Sequence, residues 1–378
     1  MKIGILTLPL HTNYGGLLQA YALQTYLQRN GHEVLILNRK SGYPDRNAIL
    51  EVFVKTVDRI RSVLSSNKRK TGYITDWKTQ SVIRRNVNHF VERYLCISKD
   101  LKTTRELANC AKHNKLDAII VGSDQVWRPK YSPMITNHFL DFAEKWDIKR
   151  IAYAASFGVD SWEYNQADTK RCSELAKKFK AISVREYSGI LLCREYLHVS
   201  AIQVIDPTLL LSRDDYVKLI PYPSKQSDSL FCYILDKNEI NDTLINKVSA
   251  KTSLIPHFCM PECLPTYENF RDNPESCVCP PVESWLAGFR DAKMVLCDSF
   301  HGCVFSIIFN KPFWVVGNLK RGMARFHSLL SQFGLEDRMI DAEKDGGVDF
   351  FKPINWDEVN KRKAELQAVA IEFLQNTI

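Results

Sequence analysis

The sequence predicts an α/β fold made of two Rossmann-like domains that face each other across a cleft. Short apolar runs typical of buried parallel strands alternate with helical patterns in both halves of the chain. A polar segment with two prolines, residues 221–229, separates the halves and is predicted to be a hinge. We therefore predict a first domain over residues 1–220, a second over 221–355, and a C-terminal helix, 356–378, that returns to the first domain.

The composition is that of an ordinary globular protein, with 45% hydrophobic and 25% charged residues, which argues against a disordered or fibrous chain. No run of about 18 apolar residues predicts a membrane-spanning helix. The first ten residues are too short for the apolar region and cleavage site of a signal peptide, and they predict a strand instead. We therefore expect a cytoplasmic protein whose eleven cysteines stay reduced.

The second half contains one group of metal-ligating residue types: His257, Cys259, Cys263, Cys277 and Cys279. Their spacings are HxC, CxxxC and CxC, whereas zinc sites usually contain two CxxC-like pairs. We predict reduced structural thiols, no metal site and no cofactor. A structural metal at this cluster stays open as the alternative.

The net charge of +8 is concentrated in residues 45–112, where 15 Lys and Arg oppose 7 Asp and Glu, a balance of +8. Such an excess indicates an anionic partner. Apolar residues between Val52 and Leu64 fall on one helical face among basic residues, as in helices that lie on anionic membranes; a solvated helix packed on the domain is the alternative. No recognition motif accompanies the charge, so nucleic acid is not predicted.

The chain opens with a βαβ pattern. Residues 2–8 and 34–37 are strand-like, and residues 17–28 between them have helical spacing. Two glycines in the first connecting loop permit close backbone approach, either to a ligand or within a tight turn. The loop residues of interest are Asn13, Tyr14, Gly15 and Gly16.

Polar residues also follow three later strands, at 116–121, 150–154 and 181–184, and such strand ends share the ligand-binding edge of a parallel sheet. Asp124 is predicted to orient a hydroxyl or take its proton, or else to cap a helix. Arg185 can hold a phosphate or carboxylate, or pair with an acid such as Glu186. Further polar candidates at these ends are Ser123, Gln125, Trp127 and Ser156.

Residues 294–309 combine a buried strand, a polar turn and an apolar helix. The turn presents backbone N–H groups and the positive end of the helix dipole, which suit an anion. His301 in this turn can exchange a proton near neutral pH, or it only caps the helix. Basic Arg321 and Arg325 follow strand 313–316 and can close on an anion or stay solvated. Other strands are predicted at 201–205, 230–235, 253–258 and 276–279.

Six strings of the chain, taken in order, resemble the motifs of the polysaccharide pyruvyl transferase family. They are NYGGLLQAYAL from Asn13, VGSDQVW from Val121, AYAASFG from Ala152, SVRE from Ser183, IDPTLLL from Ile205 and DSFHG from Asp298. The resemblance runs from Ile3 to about Arg338 and implies a fold similar to glycosyltransferase-B enzymes. It also implies transfer of pyruvate from phosphoenolpyruvate, as a ketal, onto two hydroxyls of a sugar.

The resemblance gives the candidate residues their expected roles. His301 is the expected general acid–base, and Asp124 is the second catalytic candidate. The family carries Arg-Leu-His or Arg-Phe-His where this chain has Ser299-Phe300-His301, so Arg321 or Arg325 is expected to replace the missing arginine. Donor binding is assigned to Arg185, Ser299, Gly302, Arg321 and Arg325. Acceptor binding is assigned to Asn13, Tyr14, Gly15, Gly16, Ser123, Gln125, Trp127 and Ser156.

The expected acceptor is a sugar of a surface polysaccharide, with galactose suggested by the family, or its lipid-linked precursor. A lipid carrier would account for a basic region that contacts anionic lipid at the inner face of the membrane. The candidate site residues include few paired carboxylates and no evident metal-binding triad, which argues against a glycosidase or metallohydrolase. A nucleotide-sugar glycosyltransferase of the same fold and a non-catalytic polysaccharide-assembly protein are the alternatives.

Overall fold

The computed structural model describes residues 1–40, 76–132, 134–317, 323–341 and 347–378. Within these ranges the chain forms two parallel β-sheets with helices packed around them. The two Rossmann-like domains predicted from the sequence are therefore confirmed. The amphipathic stretch predicted between Val52 and Leu64, and Arg321, lie outside the described residues.

Six strands form the first sheet: β1 (Lys2–Leu6), β2 (Glu33–Ile36), β3 (Ala118–Val121), β4 (Lys149–Ala155), β5 (Ala181–Val184) and β6 (Ile202–Gln203). They run parallel in the order β2-β1-β3-β4-β5-β6. Ile3 and Ile5 of β1 enter one hydrophobic core and Leu6 enters another. Because both faces are covered, the strands are continuous apolar runs, the pattern that predicts them.

Five strands form the second sheet: β7 (Ser229–Tyr233), β8 (Ile255–Phe258), β9 (Met294–Cys297), β10 (Phe313–Val316) and β11 (Met339–Ile340). They are also parallel, in the order β11-β10-β9-β7-β8. Leu230 and Cys232 of β7 enter a small core of this domain. Phe231 enters the larger core that also contains Ile3, so one apolar cluster connects the two domains.

Helices connect the strands in both domains. None of those in the described ranges offers an apolar stretch of the length needed to cross a bilayer. In the first domain they are α1 (Tyr14–Arg29), α2 (Trp77–Ile83), α3 (Arg85–Tyr94), α4 (Thr104–His113), α5 (Gln166–Ala176), α6 (Tyr187–Leu192) and α7 (Arg213–Val217). Those that follow are α8 (Glu239–Thr252), α9 (Tyr267–Asp272), α10 (Val282–Asp291), α11 (Phe300–Ile308), α12 (Ala324–Phe333) and α13 (Trp356–Thr377).

Two predicted strands differ in the structure. The strand predicted at 276–279 is wrong, because Pro274–Cys277 is a 3₁₀ turn and the following prolines lack the N–H groups that a sheet requires. The strand predicted at 201–205 is limited to Ile202–Gln203. It ends early because Asp206 leaves the sheet and accepts a hydrogen bond from the N–H of Thr208.

The C-terminal helix α13 packs on both domains. It lies against α12 at the second domain. Further along, the Gln367 side chain donates to the carbonyl of Leu209, and Lys180 donates to the carbonyl of Thr377 at 2.9 Å, both contacts to the first-sheet half of the chain. The helix therefore ties the two sheets together on the side that the hinge leaves open.

Candidate active site

A cavity of about 1520 Å³ lies between the two sheets and is lined by loops that follow strands of both. It exceeds the roughly 300–1,000 Å³ typical of small-ligand pockets, which leaves room for more than one small molecule. The predicted site residues that line it are Asn13, Tyr14, Gly16, Asp124, Gln125, Ser299, His301 and Arg325.

His301 lies in the first turn of α11, directly beyond β9. The hydroxyl of Ser299 accepts a hydrogen bond from the N–H of Gly302 at 3.3 Å and caps this helix. His301 is only 6% exposed and contributes to the cavity wall. Donor binding by the N–H of Gly302 stays a prediction, with the Ser299 hydroxyl as the partner of this N–H in the structure.

The imidazole of His301 pairs with a carboxylate of the other domain. Its Nε2 lies 3.5 Å from Oδ2 of Asp206, which follows β6. Burial alone would raise the pKa of Asp206, but His301, Arg185 and the N–H of Thr208 together hold it well below its usual range. Asp206 is therefore a carboxylate that can orient His301 and stabilise its imidazolium form.

Asp206 has no assigned role in the sequence-based prediction, although its motif, IDPTLLL, contributes to the resemblance. The available signal is its position, since an acidic residue directly after a buried strand is placed at the ligand-binding edge of the sheet. Its partner could not be identified locally, because His301 belongs to a different sheet.

Gly15 lies beneath the His301 ring. A Cβ built on Gly15 would fall 2.1 Å from Nδ1 and 2.2 Å from Cγ of the imidazole. No side chain fits there, so glycine is required for α1 to approach the catalytic candidate. Acceptor binding by Gly15 stays a prediction, and in the structure its backbone packs on His301.

Arg185 lies below the cavity and does not line it. Its Nε donates to Oε1 of Glu186 at 2.9 Å and its Nη1 to Oδ2 of Asp206 at 3.0 Å, while the guanidinium carbon lies 4.1 Å from the centre of the Phe300 ring. Burial alone would lower the pKa of Arg185, but Glu186, Asp206 and Asp124 raise it. In the structure this cation compensates a buried group of carboxylates, and direct donor binding by Arg185 stays a prediction.

Asp124 and Arg325 face the cavity from opposite domains. Oδ1 of Asp124 lies 3.7 Å from Nη2 of Arg185, its closest ion-pair partner among the described residues. Burial and the nearby Arg185 lower the pKa of Arg325 to about 10, with Asp124 and Glu186 opposing the shift, so Arg325 stays cationic at neutral pH. The cavity thus combines a carboxylate, a guanidinium and an imidazole.

Three predicted acceptor-binding residues are fully buried and do not reach the cavity. Trp127 stacks on Phe139 with ring centres 4.8 Å apart and belongs to the core of the first domain. Ser156 donates its hydroxyl to Glu186 at 2.8 Å, and Ser123 donates to Gln19 at 3.0 Å. Their assignments are corrected, because polar and aromatic residues after a strand here serve packing and the support of buried carboxylates.

The remaining predicted acceptor residues line the cavity but also have structural partners. Oδ1 of Asn13 accepts from the N–H of Gly16 at 3.2 Å and caps α1. The Tyr14 hydroxyl donates to the carbonyl of Pro280 at 2.8 Å across the domain boundary. Oε1 of Gln125 accepts from Arg128 at 3.2 Å. Acceptor binding by these residues stays a prediction.

Two cavity residues were missed by the sequence-based prediction, His11 and Arg84. His11 follows β1, and burial in the cleft lowers its pKa, as does the nearby Arg84, with Asp124 opposing. Arg84 lies between α2 and α3, far from any predicted strand end. Its position belongs to the basic region, where one arginine among many carries no distinguishing pattern.

The cysteine cluster borders the same cavity through Cys263, Cys277 and Cys279. Burial raises the pKa of Cys279 to about 11 and that of Cys259 to about 12, so both thiols are protonated at neutral pH. In the described part of the chain, no set of three or more His, Cys, Asp or Glu side chains is arranged to hold a metal ion.

Comparison with known families gives one match over most of the chain. The model described as polysaccharide pyruvyl transferase matches residues 13–320. These limits include the loop at Asn13, Asp124, Asp206 and His301. None of the curated protein sequences compared with the chain matches it.

Two of the solved structures with similar folds are UDP-GlcNAc 2-epimerases. The UDP-GlcNAc 2-epimerase of Neisseria meningitidis bound to UDP-GlcNAc is 13% identical, with a TM-score of 0.51 over 100% of both chains. The Methanocaldococcus jannaschii UDP-GlcNAc 2-epimerase in complex with UDP-GlcNAc and UDP is 12% identical, with a TM-score of 0.47 over 97% of this chain and 93% of the other. The first likeness shows the glycosyltransferase-B-like fold alone.

Proposed function

The chain belongs to the polysaccharide pyruvyl transferase family, and on that premise we propose that it moves the enolpyruvyl group of phosphoenolpyruvate onto two hydroxyls of a sugar. The products are a pyruvate ketal and phosphate. The observation that carries the proposal is the pair formed by His301 and Asp206, 3.5 Å apart at the cavity wall. An imidazole held by an ionised carboxylate is a group suited to donate a proton to carbon and later accept one from oxygen.

Phosphoenolpyruvate is small and highly charged, with about −1.5 to −2 on its phosphate and a carboxylate besides. Arg325 lines the cavity and is close enough to Asp124 and Glu186 for both to affect its pKa. A guanidinium binds phosphate or carboxylate with two parallel hydrogen bonds. We assign donor binding to Arg325.

In the first step, protonated His301 gives its proton to the methylene carbon of phosphoenolpyruvate, whose double bond supplies the electron pair. The adjacent carbon becomes cationic and forms a bond with the oxygen of a sugar hydroxyl. That hydroxyl loses its proton to a base, for which neutral His301 and Asp124 are the candidates on the cavity wall. The ionised Asp206 stabilises the imidazolium before this step and orients the ring.

In the second step, the bond between this carbon and the phosphate oxygen breaks, and phosphate leaves with the electron pair. A second sugar hydroxyl attacks the same carbon and closes the ketal ring, and its proton leaves with phosphate or through Asp124. Over both steps one hydroxyl proton ends on the new methyl group and the other on phosphate. Cationic Arg325 would stabilise the departing phosphate.

We propose a sugar of a surface polysaccharide, or its lipid-linked precursor, as the acceptor, with galactose as the first sugar to test. Phosphoenolpyruvate is a co-substrate in this scheme and no further cofactor is needed. The charge of residues 45–112 supports a peripheral contact with anionic lipid at the inner face of the membrane, the compartment in which phosphoenolpyruvate would be available.

Phosphate release from phosphoenolpyruvate tests the proposal. Wild type, His301→Ala and His113→Ala should be assayed against a panel of β-linked hexosides, galactosides included. His113 is exposed on α4 and serves as the matched control. Release that requires both an acceptor and His301, and that survives in the control, is expected.

A wild-type protein that releases no phosphate with any acceptor, but whose melting temperature rises with UDP, would favour a nucleotide-sugar glycosyltransferase. That result would reject the transfer of pyruvate. Retention of a glycan without any chemistry, unchanged in His301→Ala, would indicate a non-catalytic assembly protein.

A further inference from the structure

Arg84 is held at the corner between α2 and α3, and this corner is clamped to the second domain. The carbonyl of Ile83 accepts from the N–H of Cys279 at 2.9 Å, and the Asn86 side chain donates to the carbonyl of Cys279 at 2.8 Å. Arg85 forms an ion pair with Glu275 on the outer surface. The two hydrogen bonds to Cys279 hold the chain on either side of Arg84, which lines the cavity.

The side chain of Arg84 is half-buried and makes no ion pair or hydrogen bond with the described residues, and its Nε is buried without a partner. Three other arginines of the first domain form ion pairs: Arg29 with Asp215, Arg128 with Glu163 and Arg185 with three carboxylates. Burial lowers the pKa of Arg84, whereas Cys279 opposes the shift. Withdrawing a guanidinium from water without an acidic partner is costly, so the site favours an anionic ligand.

The surroundings of Arg84 define what can bind there. Arg84 lies close enough to His11 to lower its pKa, and Asp124 lies close enough to raise it. The three groups therefore occupy one continuous part of the cavity wall. The side chain of Gln80 lines the same part of the cavity. A guanidinium and an imidazole, both able to donate hydrogen bonds into a partly dry cavity, match the oxygens of a phosphoryl group.

We propose that Arg84 forms a second phosphoryl-binding subsite of the cavity, separate from Arg325. The identification of its ligand rests on the proposed function, in which two sources of a phosphoryl group exist. One is the phosphate of phosphoenolpyruvate, because Arg185 is already engaged by three carboxylates. The other is a phosphate or diphosphate carried by the acceptor, for which a cavity of about 1520 Å³ has room.

The test is calorimetric titration of wild type, Arg84→Gln, Arg84→Lys and Arg85→Gln with phosphoenolpyruvate, and with inorganic pyrophosphate in the presence and absence of saturating phosphoenolpyruvate. Arg85 is the neighbouring residue of the same type, is exposed and points to Glu275, so Arg85→Gln is the matched control. A melting curve of each variant establishes that it is folded. Arg84→Lys keeps the charge but loses the planar fork, and should bind with intermediate affinity.

If the subsite holds the phosphate of the donor, Arg84→Gln weakens phosphoenolpyruvate binding about 10- to 100-fold, and pyrophosphate competes with it. If it holds a phosphate of the acceptor, Arg84→Gln leaves phosphoenolpyruvate binding unchanged. The same substitution then weakens the binding of pyrophosphate to protein saturated with phosphoenolpyruvate by a similar factor. Either result supports the subsite and identifies its ligand.

Equal binding of both anions by wild type, Arg84→Gln and Arg85→Gln overturns the inference, as does the absence of any anion binding by wild type. Loss of pyrophosphate binding in Arg84→Gln, in a protein that does not bind phosphoenolpyruvate at all, supports the subsite and rejects the proposed function. The two hypotheses can therefore fail separately.

Discussion

The backbone of Gly15 lies so close to the imidazole of His301 that a Cβ at position 15 would overlap the ring. The two residues come from different domains, one at the start of α1 and the other at the start of α11. The orientation of the proposed proton donor therefore depends on the first domain as well as on its own helix.

Replacing Gly15 by alanine is expected to reduce phosphate release at least tenfold, because the methyl group displaces the His301 ring or separates the domains. The measurement is kcat together with a melting curve. Gly31→Ala is the control for the cost of altering a glycine, since Gly31 has a positive φ of 81° but open space around its Cα. Similar kcat values for the two variants would contradict a required contact between Gly15 and His301.

Asp206 is a positioning residue in this scheme, because it acts through His301. Asp206→Asn keeps the shape but removes the negative charge, so kcat is expected to fall about 10²- to 10⁴-fold with a smaller change in KM for phosphoenolpyruvate.

Asp215→Asn is the structural control for this variant. Asp215 pairs with Arg29 at 2.7 Å elsewhere in the first domain, and the Arg29 guanidinium holds its pKa below the usual range although burial opposes the shift. This substitution should lower the melting temperature while changing kcat far less than Asp206→Asn does. A similar kcat in Asp206→Asn and Asp215→Asn would reduce Asp206 to a purely structural carboxylate.

The sequence predicts those parts of the site that local sequence pattern determines, and it does not predict those that depend on tertiary contacts. The strands that end at Val121 and Cys297 are fully buried apolar runs, so their positions and the turn that carries His301 follow from the sequence. The pairing of His301 with Asp206 does not, because it depends on how two separate sheets are placed.

Arg185 shows why a strand-end arginine is ambiguous. The sequence indicates a cation at the ligand-binding edge, and it also shows the adjacent Glu186. It gives no sign that Asp124 and Asp206, from two other strand ends, approach the same guanidinium. The number of acids around a buried cation is a property of the assembled sheet edge, and it decides whether that cation can still bind a ligand.

Arg325 is expected to carry the interaction with the donor. Arg325→Gln should raise KM for phosphoenolpyruvate about 10- to 100-fold, the value of one charge-assisted hydrogen-bonded pair, with a smaller effect on kcat. Arg271→Gln is a suitable control, because Arg271 is exposed and pairs with Asp272 on the surface. Unchanged KM in Arg325→Gln would assign donor binding elsewhere in the cavity.

Substitutions of Trp127 test whether this residue belongs to the core or binds the acceptor sugar. Trp127→Ala should lower the free energy of unfolding by about 3–5 kcal/mol, because a large ring is lost from a fully buried position stacked on Phe139. Trp127→Phe retains most of the packing and should leave KM for the acceptor unchanged, as measured in the phosphate-release assay. A large rise in that KM, with stability preserved, would restore the role in acceptor binding.

His138 gives the fold a pH dependence with a definite sign. Burial lowers its pKa to about 4, assisted by the nearby Arg39 and opposed by the backbone of Thr7. Between about pH 6.5 and 4 the unfolded chain therefore binds more protons at this residue than the folded protein does, so stability rises with pH. Neutral His138 contributes about 3 kcal/mol to the free energy of unfolding. This contribution is complete above the pKa of His138 in the unfolded chain and is lost as the pH falls towards 4.

Chemical denaturation at several pH values between 4 and 7 measures this slope. His138→Phe keeps a ring in the buried site and removes the titration, so its stability should decline less on acidification than that of wild type. The exposed His113→Phe should decline as wild type does. If His138→Phe and wild type lose stability in parallel, the acid sensitivity comes from buried carboxylates such as Asp206, whose folded-state pKa is lowered, and it should then be concentrated below about pH 4.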